Sequence, residues 1–167
     1  LREEMAPIEA ERGLPLIDVY VLHPMTAISF PDFHSHGCFS EFWREAEKLV
    51  DEGLVRTLGV SNFTMNQVDA LLKTAKHRPA FLQQERHILN QVPEFKAYCD
   101  EKNLALVAAV PLAVGEVLDS KHLVHDEMTP AQAALHWAHE SLTRVPYFKS
   151  GTVEDEFLAS AALSLQT

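Results

Sequence analysis

Residues 53–63 read Gly53-Leu54-Val55-Arg56-Thr57-Leu58-Gly59-Val60-Ser61-Asn62-Phe63. Val55 to Val60 is apolar and rich in β-branched residues, which suit a half-buried pleated surface, so Val55 to Ser61 is expected to be a strand. It closes on two small polar side chains, Ser61 and Asn62, that either cap the next helix or hold a ligand at a strand end. Upstream, Ser40 to Glu52 has helical spacing, with Ser40 as N-cap and Phe42, Ala46, Leu49 and Val50 as one apolar stripe. Gly53 follows in the C′ position, where a left-handed residue is wanted. Downstream, Thr64 to Ala75 is a second helix. Thr64 and Gln67 stand at capping-box spacing, and Val68, Leu71 and Leu72 share a face.

The alternation extends both ways. Leu16 to His23 reads as a strand, as do Ala80 to Glu85, Leu104 to Val110 and Arg144 to Lys149. Val92 to Asn103 is a helix with Pro93 in its first turn. Thr129 to Ser141 is another, capped by Thr129 and opened by Pro130, and Val153 to Leu163 is the last. Five consecutive strand–helix units imply a parallel sheet with helices outside. An open doubly wound sheet and a piece of a (β/α)₈ barrel both fit. No G-x-G-x-x-G follows any strand, so the usual dinucleotide fingerprint of the first is missing.

The 167 residues amount to one domain, with 47% hydrophobic and 23% charged residues, as in ordinary globular chains. A net charge of −10 argues against nucleic acid or an anionic membrane as partner. No apolar stretch approaches the roughly 18 residues of a membrane span. Cys38 and Cys99 are too few for a disulfide framework. That makes a reducing compartment, cytoplasmic by default, the expectation; the chain begins at Leu1, so an organelle such as the mitochondrion is left open.

In a (β/α)₈ barrel the site lies at the C-terminal strand ends. Those ends carry His23, Ser61-Asn62, Gln83 with Glu85 just beyond, Ala109-Val110 and Lys149-Ser150. Each has a plain structural reading: a cap for Ser61-Asn62, a core histidine for His23, a solvated lysine for Lys149. Their shared position in successive units favours a convergent site. His34, His36 and Cys38 are spaced too closely for a structural zinc site and lack an evident fourth ligand, so no metal is expected. Trp43 and Trp137 are read as core.

Asp18 to Pro24 (DVYVLHP), Glu47 to Phe63, Thr129 to Trp137 (TPAQAALHW) and Phe148 to Thr152 (FKSGT), in that order, resemble the aldo-keto reductase family. The resemblance implies a (β/α)₈ barrel that binds NADP(H) without a Rossmann motif and reduces aldehydes and ketones. It implies that His23 stands where a histidine orients the carbonyl, that Ser61, Asn62 and Gln83 hold the nicotinamide carboxamide, and that Lys149 and Ser150 meet the 2′-phosphate region. The family's catalytic tyrosine, lysine and aspartate belong to earlier units and are not in this chain. Ala109 replaces the ring that stacks on the nicotinamide, Val110 a hydroxyl, and Asp155 an arginine that grips the phosphate. Leu158 and Ala159 replace adenine contacts.

The expected protein is thus a single aldo-keto-reductase-like domain over residues 1–167, a partial barrel of about five βα units without the N-terminal ones. NADP(H) binding is expected to be weakened or lost. It is expected to be a pseudoenzyme serving as a structural or binding subunit, its open barrel edges covered by another chain or by a missing N-terminal segment. The alternatives are the C-terminal part of an active NAD(P)H-dependent oxidoreductase and a non-catalytic nucleotide sensor.

Overall fold

The computed structural model describes residues 17–23, 38–118 and 128–141. Four strands, β1 (Ile17–Leu22), β2 (Val55–Ser61), β3 (Phe81–Glu85) and β4 (Ala105–Ala109), lie in one sheet in the order β1-β2-β3-β4. Between and after them run helices α1 (Cys38–Asp51), α2 (Met65–Leu72), α3 (Pro93–Lys102) and α4 (Pro130–Ser141). Strands in chain order, each followed by a helix, form the parallel wall of a barrel. The fold expected from the sequence, part of a (β/α)₈ barrel, is therefore the one observed. The expected fifth strand and fifth helix lie outside the described residues.

The chain divides into two compact units, Leu1–Phe81 and Leu82–Thr167. In the first, β1 and β2 pair in parallel, with Leu22 opposite Val60. Helix α1 begins at Cys38, so Ser40 lies inside the first turn and is not its N-cap; its carbonyl accepts from Arg44 Nε at 3.3 Å. The buried stripe is accordingly Phe39, Trp43, Ala46 and Leu49, whereas Phe42 is 43% exposed. Starting the helix two residues earlier brings Phe39 onto the face of Trp43, four residues on, and Phe42 falls to one side. Phe39 meets Phe63 edge-to-face at 5.7 Å.

The end of α1 is a Schellman motif. The Leu54 N–H donates to the Leu49 carbonyl, and that of Gly53, at φ 74°, to the Val50 carbonyl. Beyond α2, Lys76 Nζ and His77 Nε2 both lie 2.7–2.8 Å from Asp51 carboxylate oxygens. Their hydrogen bonds, Lys76 first and His77 second, hold the Asp51 pKa below its ordinary 3.8. A carboxyl with a depressed folded pKa contributes stability above its unfolded pKa and loses it as pH falls through the folded one. Replacing Asp51 by asparagine should therefore flatten the fall of the thermal midpoint below about pH 4 and leave its slope near neutrality unchanged. An unaltered acid limb in a pH series of melting curves would show that the cluster contributes nothing.

In the second unit, Pro93 opens α3 and Asn103, at φ 55°, closes it in the left-handed conformation. Cys99 is fully buried, and desolvation pushes its thiol up to about 11. Helix α4 starts where Thr129 and Gln132 form a capping box, the Gln132 N–H donating to Thr129 Oγ1 at 3.3 Å and the Thr129 N–H to Gln132 Oε1 at 2.9 Å. Ala131, Ala134, Leu135 and Ala138 form its buried face, and Ala134 packs with Ala113 and Val117.

Candidate functional site

At the end of β2 the question raised by Ser61-Asn62 has an answer. The cap of α2 is Thr64: its hydroxyl accepts from the Gln67 N–H at 3.3 Å, and Gln67 Oε1 accepts from the Thr64 N–H at 2.8 Å. Ser61 and Asn62 are released from that task. Ser61 is buried and Asn62 exposed, with Asn62 at φ 59°. Asparagine tolerates the left-handed region better than most residues, and it turns the chain sharply out of the strand. Register places His23 beside Ser61, one step past the Leu22–Val60 pair. His23 is exposed, not the core histidine that its apolar surroundings in sequence allow.

In the second unit, β3 buries Leu82 and Gln84 on one face and leaves Gln83 half-buried and Glu85 exposed on the other. On β4, Leu106 and Ala108 are buried while Ala105, Val107 and Ala109 are half-buried. The Arg86 N–H donates to the Ala109 carbonyl at 3.1 Å, tying the ends of the two strands together. Gln83 and Ala109 thus both belong to the adjoining C-terminal parts of β3 and β4, with Ala109 tied to the residue after Glu85. No side-chain hydrogen bond engages the Gln83 amide among the described residues. After Ala109 the chain takes left-handed conformations at Val110 (φ 53°), Ala113 (φ 50°) and Val114 (φ 54°), and Val114 is 91% exposed. For β-branched residues such backbone is costly, and strain of this kind collects at functional loops.

Beyond Gln83, Glu85 is joined by two residues that sequence reasoning passed over, Arg86 and His87. Glu85 Oε1 lies 3.1 Å from His87 Nε2, and His87 is buried. Arg86 is buried too. It donates through Nη1 to the Gln91 carbonyl, its guanidinium lies over the Trp137 ring at 5.1 Å, and its Nε has no partner. Desolvation lowers the Arg86 pKa. Trp137 is therefore half-buried, a platform for a buried cation and not core. Nothing in the sequence pattern announces a buried arginine, since the residue is mostly exposed.

Lys149, Ser150, Asp155, Leu158 and Ala159 lie outside the described residues, as do His34, His36 and the Cys38 side chain. Among the described residues no group of three or more His, Cys, Asp or Glu could hold a metal ion. No described helix is long and apolar enough to cross a membrane.

Ser61 and Asn62 in the first unit, and Gln83 in the second, each bring a hydrogen-bond donor and acceptor to a strand end, and Thr64 leaves Ser61 and Asn62 uncommitted as caps. Ala109 ends β4 with a methyl.

Residues 12–138 match the sequence pattern of the aldo/keto reductase family. The chain belongs to that family. Aldo-keto reductase family 1 member A1-A of Danio rerio is 33% identical over 145 residues, covering 78% of this chain and 43% of its own length. Glyoxal reductase of Bacillus subtilis is 30% identical over 128 residues, covering 74% and 43%. Among solved structures, an aldo/keto reductase from Brucella melitensis superposes with a TM-score of 0.79 at 26% identity, over 96% of this chain and 60% of that one. An aldo-keto reductase from a deep-sea metagenome library gives 0.76 at 28% identity, over 90% and 55%. The chain spans about half the length of the curated relatives it matches.

Proposed function

We propose that this member of the family keeps the carboxamide-matched groups of a nicotinamide site but grips NADP(H) weakly. In this reading it is a pseudoenzyme, a binding or structural subunit whose barrel edges are covered by another chain or by further residues of the same protein. The observation that carries the reading is Ala109. It stands at the end of β4, tied to the end of β3 through the Arg86 N–H, and by the family resemblance it holds the position of the ring that stacks on the nicotinamide. Base–aromatic stacking is worth about 1–3 kcal/mol, so its loss weakens binding by tenfold or more.

A second reading is favoured by the release of Ser61 and Asn62 from helix capping. Polar groups left free at a strand end suit a working site, and the stretch is then the C-terminal part of an active NAD(P)H-dependent reductase of aldehydes and ketones. In that case Ser61, Asn62 and Gln83 hold the carboxamide, His23 orients the carbonyl, and the cofactor supplies the hydride.

Titrating the full chain with NADPH and NADH, followed by tryptophan fluorescence, tests the first reading. The expected result is binding no tighter than high micromolar, with Ala109→Tyr tightening NADPH about tenfold. Low-micromolar binding by the unaltered chain, together with turnover of an aldehyde, would overturn it in favour of the reductase.

A further inference from the structure

Glu85 shares a β3 face with Gln83, because side chains two apart on a strand point the same way and the buried Leu82 and Gln84 mark the opposite face. Its carboxylate is not a freely waving surface charge. Oε1 lies 3.1 Å from Nε2 of His87, whose side chain is 7% exposed. The His87 ring is locked in turn: its backbone exchanges hydrogen bonds with Asn90 at 2.9 and 3.1 Å, and its Nδ1 is enclosed. Arg86, the cation between them in sequence, is turned to Gln91 and Trp137. Among the described residues no lysine or arginine pairs with Glu85. A carboxylate with no lysine or arginine beside it is therefore held at the strand end that presents the Gln83 amide.

We infer that Glu85 biases this site toward the oxidised cofactor, with His87 as its positioning residue. The inference rests on the reading of Gln83 as a carboxamide holder. The amide of Gln83 meets the same carboxamide in both redox forms and does not distinguish them. The rings differ by one charge: the oxidised nicotinamide is a cation and the reduced one is neutral. A carboxylate held nearby attracts only the first. Because the Glu85 side chain is 61% exposed, the attraction is a screened one, on the order of a two- to fivefold preference.

The test is the ratio of dissociation constants, NADPH over NADP+, measured by tryptophan quenching on the full chain. Glu85→Gln keeps the size and hydrogen-bonding capacity of the side chain, and it should lower that ratio about threefold at about 0.1 M salt. The difference should fade near about 1 M salt, where the screening length is short. His87→Gln should give part of the same shift. Glu101→Gln removes an exposed carboxylate from α3 and changes net charge equally; it should leave the ratio alone. Binding of both forms with a ratio that Glu85→Gln does not move would overturn the role of Glu85 while leaving the carboxamide reading intact. A threefold change that persists at high salt would also overturn it, since a charge effect must screen. Failure of either form to bind would overturn both.

Discussion

Truncating Trp43 to alanine should cost the first unit about 4 kcal/mol of stability, the largest loss expected from any single side chain described. Trp43 is 1% exposed on the inner face of α1. Its removal takes a large apolar surface out of the core and leaves a cavity that neighbours fill only in part. The indole also holds a loop. Its Nε1 donates to the His77 carbonyl at 3.1 Å, and Glu47, one helical turn later, accepts the His77 N–H at 2.9 Å. Both polar groups of one residue in the α2–β3 connection are thus fastened to α1. Trp43→Phe separates the two contributions: it keeps most of the volume and loses the hydrogen bond, so a loss of about 1–2 kcal/mol is expected. Denaturant unfolding of the three proteins checks this. Equal costs for phenylalanine and alanine would mean that the hydrogen bond carries most of the effect and the packing little.

The elements were legible in the sequence because their punctuation is chemical. Gly53, Thr64 with Gln67, Pro93, and Thr129 with Pro130 each fix a boundary through a backbone requirement, and each stands where the structure uses it. Ser40 misled because a serine before an apolar period resembles a cap whether or not the helix has already begun. With the helix running from Cys38, Phe39 and Trp43 complete the face of Ala46 and Leu49, and Phe42 lies off it, 43% exposed. The polar strand ends were legible as positions. Their partners were not, because hydrogen bonds such as Glu85 to His87, and the stacking of Arg86 on Trp137, depend on a turn and on a helix some fifty residues away in sequence. One signal was available and went unread: a glycine in the interior of a strand marks a bulge or a close approach.

That glycine is Gly59, and any side chain there should be destabilising. A β-carbon built there would lie 2.2 Å from Phe81 Cζ and 2.5 Å from both Cε atoms. Carbon atoms do not approach so closely, so the Phe81 ring must swing away for even a methyl to fit. Phe81 is only half-buried and its ring tip is the far end of the side chain, so some movement is open to it. The cost is therefore that of overpacking and not of a broken backbone, about 2 kcal/mol for Gly59→Ala and about 3 for Gly59→Val. A smaller residue at 81 removes the obstacle. Phe81→Ala in combination with Gly59→Ala should cost less than the sum of the two single changes, and the difference measures the steric coupling between the two residues. Strict additivity in the double-mutant cycle would show that the loss at Gly59 comes from elsewhere in the strand. The geometry makes the interaction energy negative, the double change costing less than the sum of its parts. Gly59 is buried, and the absence of a side chain there leaves the room that the Phe81 ring occupies beside β2.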